Sequence, residues 1–344
     1  MKIKKAISKV VGFEDLTENE TRSVFNEIMG GKAAPSQIGA FITALRMKGE
    51  TVDEITGAAK VMREKAAKIK VSGRSASVLD TCGTGGTGTK VFNVSTTAAF
   101  VVAGCGVKVA KHGNRGVSSH CGSADVLEEL GVKLDTPVKA TERCVNKVGI
   151  GFLFAPLYHG AMRYAIGPRR EIGIRTIFNI LGPLCNPASA KYQVLGVYDP
   201  GLTEILARVL KRLGSRRAFV VHGDGPLDEV SVVGKTRISE LKGGRVTTYN
   251  VSPATFGVKK ASLKAIKGGT VRGNAAMVRG VLSGRKGAKR DVVLMNSAVA
   301  LVAAGKARGF KEGVRLAARS IDSGSAMRKL DQLIRITKGK GKNK

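Results

Sequence analysis

Tryptophan is absent from this sequence, and aromatic residues make up only 5% of its 344 residues. So few aromatic rings give little support to a surface that stacks on single-stranded nucleic acid. Acidic residues are also scarce, because 26 Asp and Glu stand against 58 Lys and Arg, which gives a net charge of +32. Such a surplus attracts anions in general, including phosphorylated metabolites and nucleic acids. The shortage of aromatic residues favours an ordinary basic surface over a nucleic-acid-binding role, which is kept as an alternative.

Cysteine is scarce and scattered, with five residues and no CxxC pair. In a chain of this length, that pattern argues against a disulfide framework. The nearest approach to a metal cluster is His112, His120 and Cys121, whose spacing fits no zinc pattern and lacks a fourth ligand. We therefore expect no structural zinc.

Long apolar runs are absent too, and none is long enough to span a bilayer. The first twenty residues are charged and lack the apolar core of a signal peptide. These features predict a cytoplasmic protein that is not associated with a membrane. The 43% of hydrophobic residues and the length suffice for two domains with a buried core.

Residues 1 to about 70 show apolar residues at helical spacing and no strand pattern. Thr17 followed by Glu20 has the pattern of a capping box, and the helix that it opens should end at Gly30. Ser36 and either Thr51 or Asp53 are expected to cap later helices. Apolar positions such as Ile38, Phe41 and Leu45 fit either an internal core or a subunit contact.

From about residue 75, strand-like runs alternate with helical stretches, which indicates a mainly parallel sheet flanked by helices. Strands are predicted in 76–83, 107–113 and 216–225, helices in 95–106 and 123–131, and a strand leading into a helix in 291–305. The predicted fold class is α/β, with a small N-terminal all-helical domain and a larger sheet domain. We place the helical domain at 1–72, joined by part of 165–190, the sheet domain at 73–337 and a basic tail at 338–344.

Three turns that follow predicted strands carry polar residues, and the carboxyl ends of parallel strands are where such folds bind ligands. The first is the glycine-rich turn 83–88, whose backbone N–H groups can approach a phosphate without interference from Cβ atoms. Asn93, Ser95 and Thr96 follow at a helix start, where anions are favoured. The spacing matches neither a dinucleotide fingerprint nor a P-loop, and a tight structural turn is the alternative.

The second turn carries Lys111, His112 and Arg115, followed by three serines before a helix that begins near Ala124. This arrangement predicts a second anion site, against the alternative of a solvated basic face. The third turn presents Asp224, Asp228 and Glu229, and neighbouring carboxylates are suited to Mg²⁺ whose other ligands come from substrate phosphates. An Asp-rich turn held by backbone hydrogen bonds is the alternative there.

Arginines 169, 170 and 175 near a Gly-Pro turn add candidates for recognising a carboxylate. With them, the segments "GTGG…FNVST", "KHGNR…SS…GSADVLEELG", "RREIGIRTIFNILGPLCNP" and "HG…LDEVS" occur in a familiar order. Together they resemble the anthranilate phosphoribosyltransferases of tryptophan biosynthesis over almost the whole chain. The "KHGNR" and "GSADVLE" segments separate the chain from pyrimidine nucleoside phosphorylases of the same fold.

The resemblance implies that the amino nitrogen of anthranilate attacks C1 of 5-phosphoribosyl-1-pyrophosphate (PRPP) and releases pyrophosphate. It also implies a homodimer through the helical region, Mg²⁺ as the cofactor, and Lys111, Asp228 and Glu229 as the catalytic residues. Ser95, Asp228 and Glu229 would hold Mg²⁺. Gly83, Asn114 and Arg169 would contact anthranilate, with His112 and Pro183 along its path. The implied PRPP site comprises Gly83, Gly86, Thr87, Val91, Asn93, Val94, Ser95, Thr96, Lys111, His112, Gly113, Asn114, Arg115, Gly116, Val117, Ser118, Ser119 and Ser123.

Three features depart from the pattern of that family. Thr87 stands where an Asp is common, and Val91 stands where a Thr is usual. The segment 259–290 carries ten Lys and Arg and no acid, in a region that is normally more acidic. We expect this segment to lie away from the motifs. The alternatives to the transferase are another phosphoribosyl- or nucleoside-processing enzyme of the same fold, and a nucleic-acid-binding relative that has lost the acceptor site.

Overall fold

The N-terminal region is helical in the computed structural model, which describes residues 1–72, 78–85, 88–116 and 121–339. Four helices form it: α1 (Ile3–Val11), α2 (Glu18–Met29), α3 (Pro35–Lys48) and α4 (Val52–Lys65). Capping boxes begin α2 at Thr17, with Glu20, and α4 at Thr51, with Glu54. The predicted cap at Ser36 is wrong, because Pro35 occupies the first position of α3 and places Ser36 inside the first turn.

The larger part of the chain is built on a seven-stranded sheet among the described residues, in the order β3-β2-β1-β4-β5-β6-β7. β1 to β5 are parallel to one another, and β6 and β7 are antiparallel additions at one edge. The predicted α/β fold class is confirmed. The strands are β1 (Val78–Gly83), β2 (Lys108–Gly113), β3 (Ile150–Phe154), β4 (Tyr192–Gly196), β5 (Arg217–Gly223), β6 (Thr236–Lys242) and β7 (Arg245–Val251).

Helices cover both faces of this sheet. They are α5 (Val94–Gly104), α6 (Ser123–Glu129), α7 (Val138–Arg143), α8 (Ala155–Tyr158), α9 (Arg163–Ile172), α10 (Phe178–Leu184), α11 (Leu202–Arg212), α12 (Val271–Leu282), α13 (Ala288–Ala303), α14 (Phe310–Asp322) and α15 (Ser325–Thr337). A π-type turn at Cys144–Val148 and short 3₁₀ turns at Gly160–Met162, Pro253–Phe256 and Leu263–Ile266 complete the elements.

The strand predicted at the start of 291–305 is wrong, because α13 begins at Ala288 and is helical as far as Ala303. Its side chains are buried on nearly all sides, so the apolar run shows no period that would distinguish helix from strand. α13 lies against α5 and α14 in the core on one face of the sheet.

The second core contains the N-terminal helices together with parts of α9, α10, α11 and the sheet. Ile38, Phe41 and Leu45 are buried inside this core, which answers the alternative that they form a subunit contact. The domain bounds at 72 and 337 stay a prediction. No helix among the described residues is both long and apolar enough to cross a membrane.

Candidate active site

The polar turns meet at the carboxyl end of the sheet, beside the place where the strand order reverses between β1 and β4. β1 leads to the glycine-rich turn and α5, β2 leads to α6, and β5 leads to the turn with the two acids. Such a topological switch point opens a crevice in α/β sheets. The fold therefore brings together the three segments that the sequence analysis selected.

Asp228 lies across the ends of β1 and β4, which is possible because each strand ends in glycine. Gly83 and Gly196 are register partners in the sheet. A Cβ atom on Gly83 would lie 2.5 Å from Asp228 Oδ2, and one on Gly196 would overlap the Asp228 backbone carbonyl. The paired glycines thus allow the acidic turn to approach the end of the sheet closely.

The two carboxylates accept backbone hydrogen bonds from two other segments. Gly85 N donates to Asp228 Oδ2 at 3.0 Å, and Ser95 N donates to Glu229 Oε1 at 3.1 Å. Ser95 lies in the first turn of α5, where the helix dipole favours a negative charge. Glu229 therefore connects the acidic turn with the start of α5 and lies close to the Ser95 hydroxyl.

Burial raises the pKa of both acids. For Glu229, burial and then the neighbouring Asp228 charge raise the pKa to about 8. The pKa of Asp228 is raised by burial, against hydrogen bonds from the backbone N–H of Gly85 and its own. Two half-buried carboxylates that repel each other fit a hard divalent cation, which removes the repulsion. Among the described residues, no group of three His, Cys, Asp or Glu forms a metal cluster, so the remaining ligands must come from elsewhere.

Asn296 of α13 holds this acidic turn from behind. Its side chain accepts a hydrogen bond from Val230 N at 2.9 Å and donates to Val230 O at 3.0 Å and Val292 O at 2.8 Å. Because Val230 directly follows Glu229, the amide fixes the turn that carries both acids. Sequence reasoning missed Asn296, although a polar residue inside an apolar helical run could have indicated it.

Lys111 points from β2 toward α5, with only 3% of its surface exposed. Its ammonium donates to Thr81 O and lies 3.4 Å from Ser95 Oγ. Burial lowers the pKa of Lys111, whereas the charges of Asp80, Cys82, Glu229 and Asp228 raise it. Lys111 is thus a buried cation on the same side as the first turn of α5.

His112 points to the opposite face of the sheet, toward α10. Its Nδ1 lies 3.0 Å from Gly182 O, and its Nε2 lies 3.1 Å from Nε2 of His159. Burial lowers the pKa of His112 to about 3, with the His159 ring as the second cause, and lowers the pKa of His159 to about 4. Both rings are therefore neutral near pH 7. Sequence reasoning missed His159, for which the sequence around it gave no signal.

The loop after β2 is tied to α6. Asp125 Oδ2 accepts Gly116 N at 2.9 Å and Gly122 N at 2.8 Å, so it binds both flanks of 117–120. Ser123 Oγ donates to Asn114 O at 3.3 Å. Arg115 pairs with Asp125 and Glu128 at 3.0 and 2.8 Å, so its guanidinium is already engaged in this structure.

Several other predicted residues have defined positions. Asn93 precedes α5 and donates to Gly122 O at 3.2 Å, which links the start of α5 with the start of α6. Val94 and Thr96 are each 1% exposed, so their side chains lie in the core. A ligand could contact these two residues only through their backbone groups. The predicted residues Gly86, Thr87, Val117, Ser118 and Ser119, and also His120, lie outside the described residues.

Arg169 lies in α9 and Pro183 lies in α10, and the two helices meet where Arg169 contacts Phe178. The Arg169 guanidinium lies 5.1 Å from the centre of the Phe178 ring of α10, and burial lowers its pKa. Among the described residues, no carboxylate pairs with Arg169. Pro183 is buried, and the Gly182 carbonyl beside it contacts His112. A half-buried, unpaired guanidinium of this kind suits a carboxylate ligand.

The basic segment does not lie away from the motifs, so that expectation is wrong. Val91 pairs with Lys267 as an antiparallel bridge, Gly268 N donates to Lys90 O at 2.8 Å, and Phe92 N donates to Ile266 O at 3.3 Å. A Cβ atom added at Gly268 would lie 2.9 Å from backbone atoms of Val91 and Phe92, so glycine allows this close contact. The segment therefore adds exposed cations next to the glycine-rich turn.

Comparison with known proteins agrees with this geometry. Residues 75–327 match the α/β domain model of a glycosyl transferase family, and residues 4–66 match its helical bundle domain. The anthranilate phosphoribosyltransferase of Syntrophotalea carbinolica is 59% identical, over 97% of this chain and 99% of that one. The chain belongs to the anthranilate phosphoribosyltransferase family.

Solved structures of the family have the same fold. The anthranilate phosphoribosyltransferase of Thermus thermophilus is 41% identical with a TM-score of 0.91, and the match covers 97% of this chain and 99% of that one. The Saccharomyces cerevisiae enzyme in complex with PRPP and Mg is 28% identical with a TM-score of 0.89 and covers 98% of both chains. A further structure of that yeast enzyme holds 4-fluoroanthranilate. The predicted family and enzyme class, a pentosyl-transferring glycosyltransferase, are thereby confirmed.

Proposed function

We propose that this chain transfers the phosphoribosyl group of PRPP to the amino nitrogen of anthranilate, releasing pyrophosphate, in tryptophan biosynthesis. The observation that carries the proposal is the meeting of Asp228 and Glu229 with Gly85 and Ser95 at the end of the sheet. This meeting joins a carboxylate pair suited to a metal with backbone N–H groups suited to phosphate. The match to an anthranilate phosphoribosyltransferase that is 59% identical supports it.

In this proposal, PRPP occupies the crevice between the glycine-rich turn, the first turn of α5 and the loop after β2. Asp228, Glu229 and the hydroxyl of Ser95 would hold Mg²⁺. The metal, when bound, supplies positive charge to the pyrophosphate leaving group. The yeast relative solved with PRPP and Mg supports this reading. Arg115 would exchange its pairing with Asp125 and Glu128 for the substrate.

Anthranilate lies on the side of α9 and α10 in this proposal. The Arg169 guanidinium would pair with the anthranilate carboxylate, while Asn114, His112 and Pro183 line the approach. This arrangement places the anthranilate on the face of β2 that carries His112, opposite Lys111. The yeast relative solved with 4-fluoroanthranilate supports an aromatic acceptor for this fold.

The chemistry requires a positioned acceptor and a stabilised leaving group. The C1–O bond to pyrophosphate breaks, the C1–N bond forms, and the amine loses one proton. C1 gains oxocarbenium character as the first bond breaks. An aniline nitrogen already has a lone pair, so no strong base is needed before attack. Lys111 and the backbone N–H groups would stabilise the growing charge on pyrophosphate, so that most of the catalysis is positioning and electrostatics.

We further propose that the protein works as a homodimer in the cytoplasm. Val11, Phe13 and Met47 of the helical region are 60%, 66% and 72% exposed, although all three are apolar. A second copy that packs against this region would cover them. Light scattering that finds a stable monomer at micromolar concentration would reject the dimer.

Anthranilate fluorescence tests the proposed reaction. Mixed with the protein, PRPP and Mg²⁺, the fluorescence should decay, and one pyrophosphate should appear for each anthranilate consumed. Omitting PRPP should stop the decay. A protein that consumes no anthranilate and instead binds DNA in a salt-sensitive way would support the nucleic-acid-binding alternative.

A further inference from the structure

Backbone pairing between β1 and β2 stops before the carboxyl ends of the two strands. Their register pairs are Val78 with Lys108 and Leu79 with Val109, and pairing between them does not continue through 80–83 and 110–113. Over those residues, β1 remains paired with β4 as far as Gly83, and β2 remains paired with β3 as far as Gly113. Each strand therefore stays paired on its other side, and a gap in the backbone hydrogen bonding lies between them next to the proposed PRPP site.

Side chains satisfy backbone groups along this gap. Asp80 Oδ1 accepts His112 N at 3.1 Å, and Asn186 Nδ2 donates to Ala110 O at 2.8 Å. The two side chains also bind each other, with Asn186 Nδ2 at 2.7 Å from Asp80 Oδ2. On the opposite face of the sheet, the Lys111 ammonium donates to Thr81 O. Buried backbone groups need hydrogen-bond partners, and these side chains take the place of the missing backbone partners.

Hydrogen bonds fix the orientation of the Asp80 and Asn186 side chains. Asn186 Oδ1 accepts Ala188 N at 2.8 Å, so its amide cannot flip without losing three hydrogen bonds. Asp80 is 0% exposed and Asn186 is 4% exposed. Neither residue has a role in the proposed chemistry.

We propose that Asp80 and Asn186 are positioning residues, a wedge that keeps the backbones of β1 and β2 unpaired at this point so that Lys111 faces the pyrophosphate of PRPP. This inference rests on the proposed function. A continuous ladder would pair His112 N with β1, bring the strands to about 4.8 Å and close the gap. Burial raises the pKa of Asp80, and the nearby Lys111 cation opposes that rise.

Two variants test the wedge. Asp80→Asn keeps the shape and one acceptor oxygen for His112 N, but it removes the charge and sets an amide NH₂ against that of Asn186. Asn186→Ala removes both donated hydrogen bonds. A misplacement of about 1 Å in a positioned group can cost about a hundredfold in rate. We expect kcat/KM for PRPP to fall at least about tenfold in each variant.

Glu54→Gln is the matched control. Glu54 is a buried carboxylate that accepts Leu16 N at 3.0 Å and Lys48 Nζ at 3.1 Å, within the N-terminal helices. The control should lower the melting temperature and leave kcat/KM for PRPP within about twofold, since it alters a buried ion pair remote from the site.

Two further readouts distinguish positioning from a structural role. Amide exchange at His112 should slow in both wedge variants, because closure of the strands pairs His112 N with β1, and calorimetry should show weaker binding of Mg²⁺–PRPP. The wedge is rejected if PRPP binding and kcat/KM stay within twofold of the wild type in both variants, even when melting temperature or exchange changes. If the wild-type protein binds Mg²⁺–PRPP but consumes no anthranilate, only the proposed function fails, and the binding ratios still decide on the wedge. If it binds no PRPP, both fail.

Discussion

Single residues at the crevice differ in whether their partners are already in place. Asp228 and Glu229 are held by backbone N–H groups, and Arg115 is held by two acids. Arg169 has only the face of an aromatic ring as a partner among the described residues. Arg169 is therefore the side chain with the most to gain from an anionic ligand.

Replacing Arg169 by Lys should raise KM for anthranilate at least about tenfold and leave KM for PRPP within about twofold. Lysine keeps the charge but loses the planar pair of donors that matches a carboxylate. Steady-state kinetics with each substrate varied in turn would measure this. Arg170→Lys changes the exposed neighbour in the same helix and should alter neither constant. Equal effects of the two substitutions would contradict the assignment.

The His112–His159 pair predicts how stability depends on pH. Both histidines have folded-state pKa values lowered from 6.5, to about 3 and about 4. In the unfolded chain the two histidines bind protons below about pH 6.5. In the folded protein they stay neutral until the pH falls to about 4. The two histidines should therefore reduce stability as pH falls through this window, by up to about 1.4 kcal/mol per pH unit each, whereas Glu229, whose pKa is raised to about 8, acts in the opposite direction.

Calorimetric melting temperatures between pH 7 and pH 4.5 would check this. His159→Gln removes one of the two titrating groups, so its melting temperature should fall less steeply with acidification than that of the wild type. Parallel curves for the two proteins would contradict the burial of a neutral His159.

At the scale of elements, the ends of β1 and β4 decide how close the acidic turn can come. Gly196→Ala should displace the Asp228 backbone, because its Cβ would occupy the position of the Asp228 carbonyl. Mg²⁺-dependent turnover should fall at least about a hundredfold, as expected for a misplaced catalytic group. Gly309→Ala, where nothing lies within 4 Å of the added Cβ, should retain turnover. A Gly196→Ala enzyme with normal turnover would show that the turn does not need this close approach.

The elements that sequence predicted best are those with a local signal. The strands ending at Gly83 and Gly113 and the capping box at Thr17 follow from residues within a few positions of one another. α13 was not predicted as a single helix, because a segment buried on all sides shows no period. Predicting elements therefore succeeded where the pattern of one face was visible in the sequence.

The parts of the candidate site that carry a sequence motif could be predicted. The glycine-rich turn, the loop after β2 and the two acids do converge, as expected for strand ends in a parallel sheet. Asp80, Asn186 and Asn296 were missed because their partners lie on other segments, 106 residues apart in the Asp80–Asn186 pair and 66 residues apart in the Asn296–Val230 pair. Only the fold shows which backbone groups they satisfy.

At the scale of the whole molecule, the net charge of +32 acquires a local role. Lys90 and Lys267 are exposed beside the glycine-rich turn, and no ion pair involves either of them among the described residues. Exposed cations near a site raise the local concentration of anionic substrates, and salt screens this effect.

Replacing both Lys90 and Lys267 by Gln should lower kcat/KM for PRPP by about two- to tenfold at low ionic strength and leave kcat unchanged. The difference from the wild type should vanish at about 0.5 M salt, where the Debye length falls below about 5 Å. The matched control is Lys4→Gln with Lys5→Gln, which removes the same charge from exposed positions on α1. An equal loss in the control would mean that only the net charge matters.

In the proposed reaction, Mg²⁺-dependent transfer to anthranilate takes place where Asp228 and Glu229 meet the glycine-rich turn. The most direct test is the initial rate of anthranilate consumption, measured by fluorescence as Mg²⁺ is titrated at saturating PRPP. The wild-type protein should show Mg²⁺-dependent consumption. The double variant Asp228→Asn with Glu229→Gln should lose at least about a hundredfold of it. Asp224→Asn should retain it, because Asp224 Oδ2 is bound to Lys235 N in the same turn. Consumption that ignores Mg²⁺, or a double variant as fast as the wild type, would contradict the account.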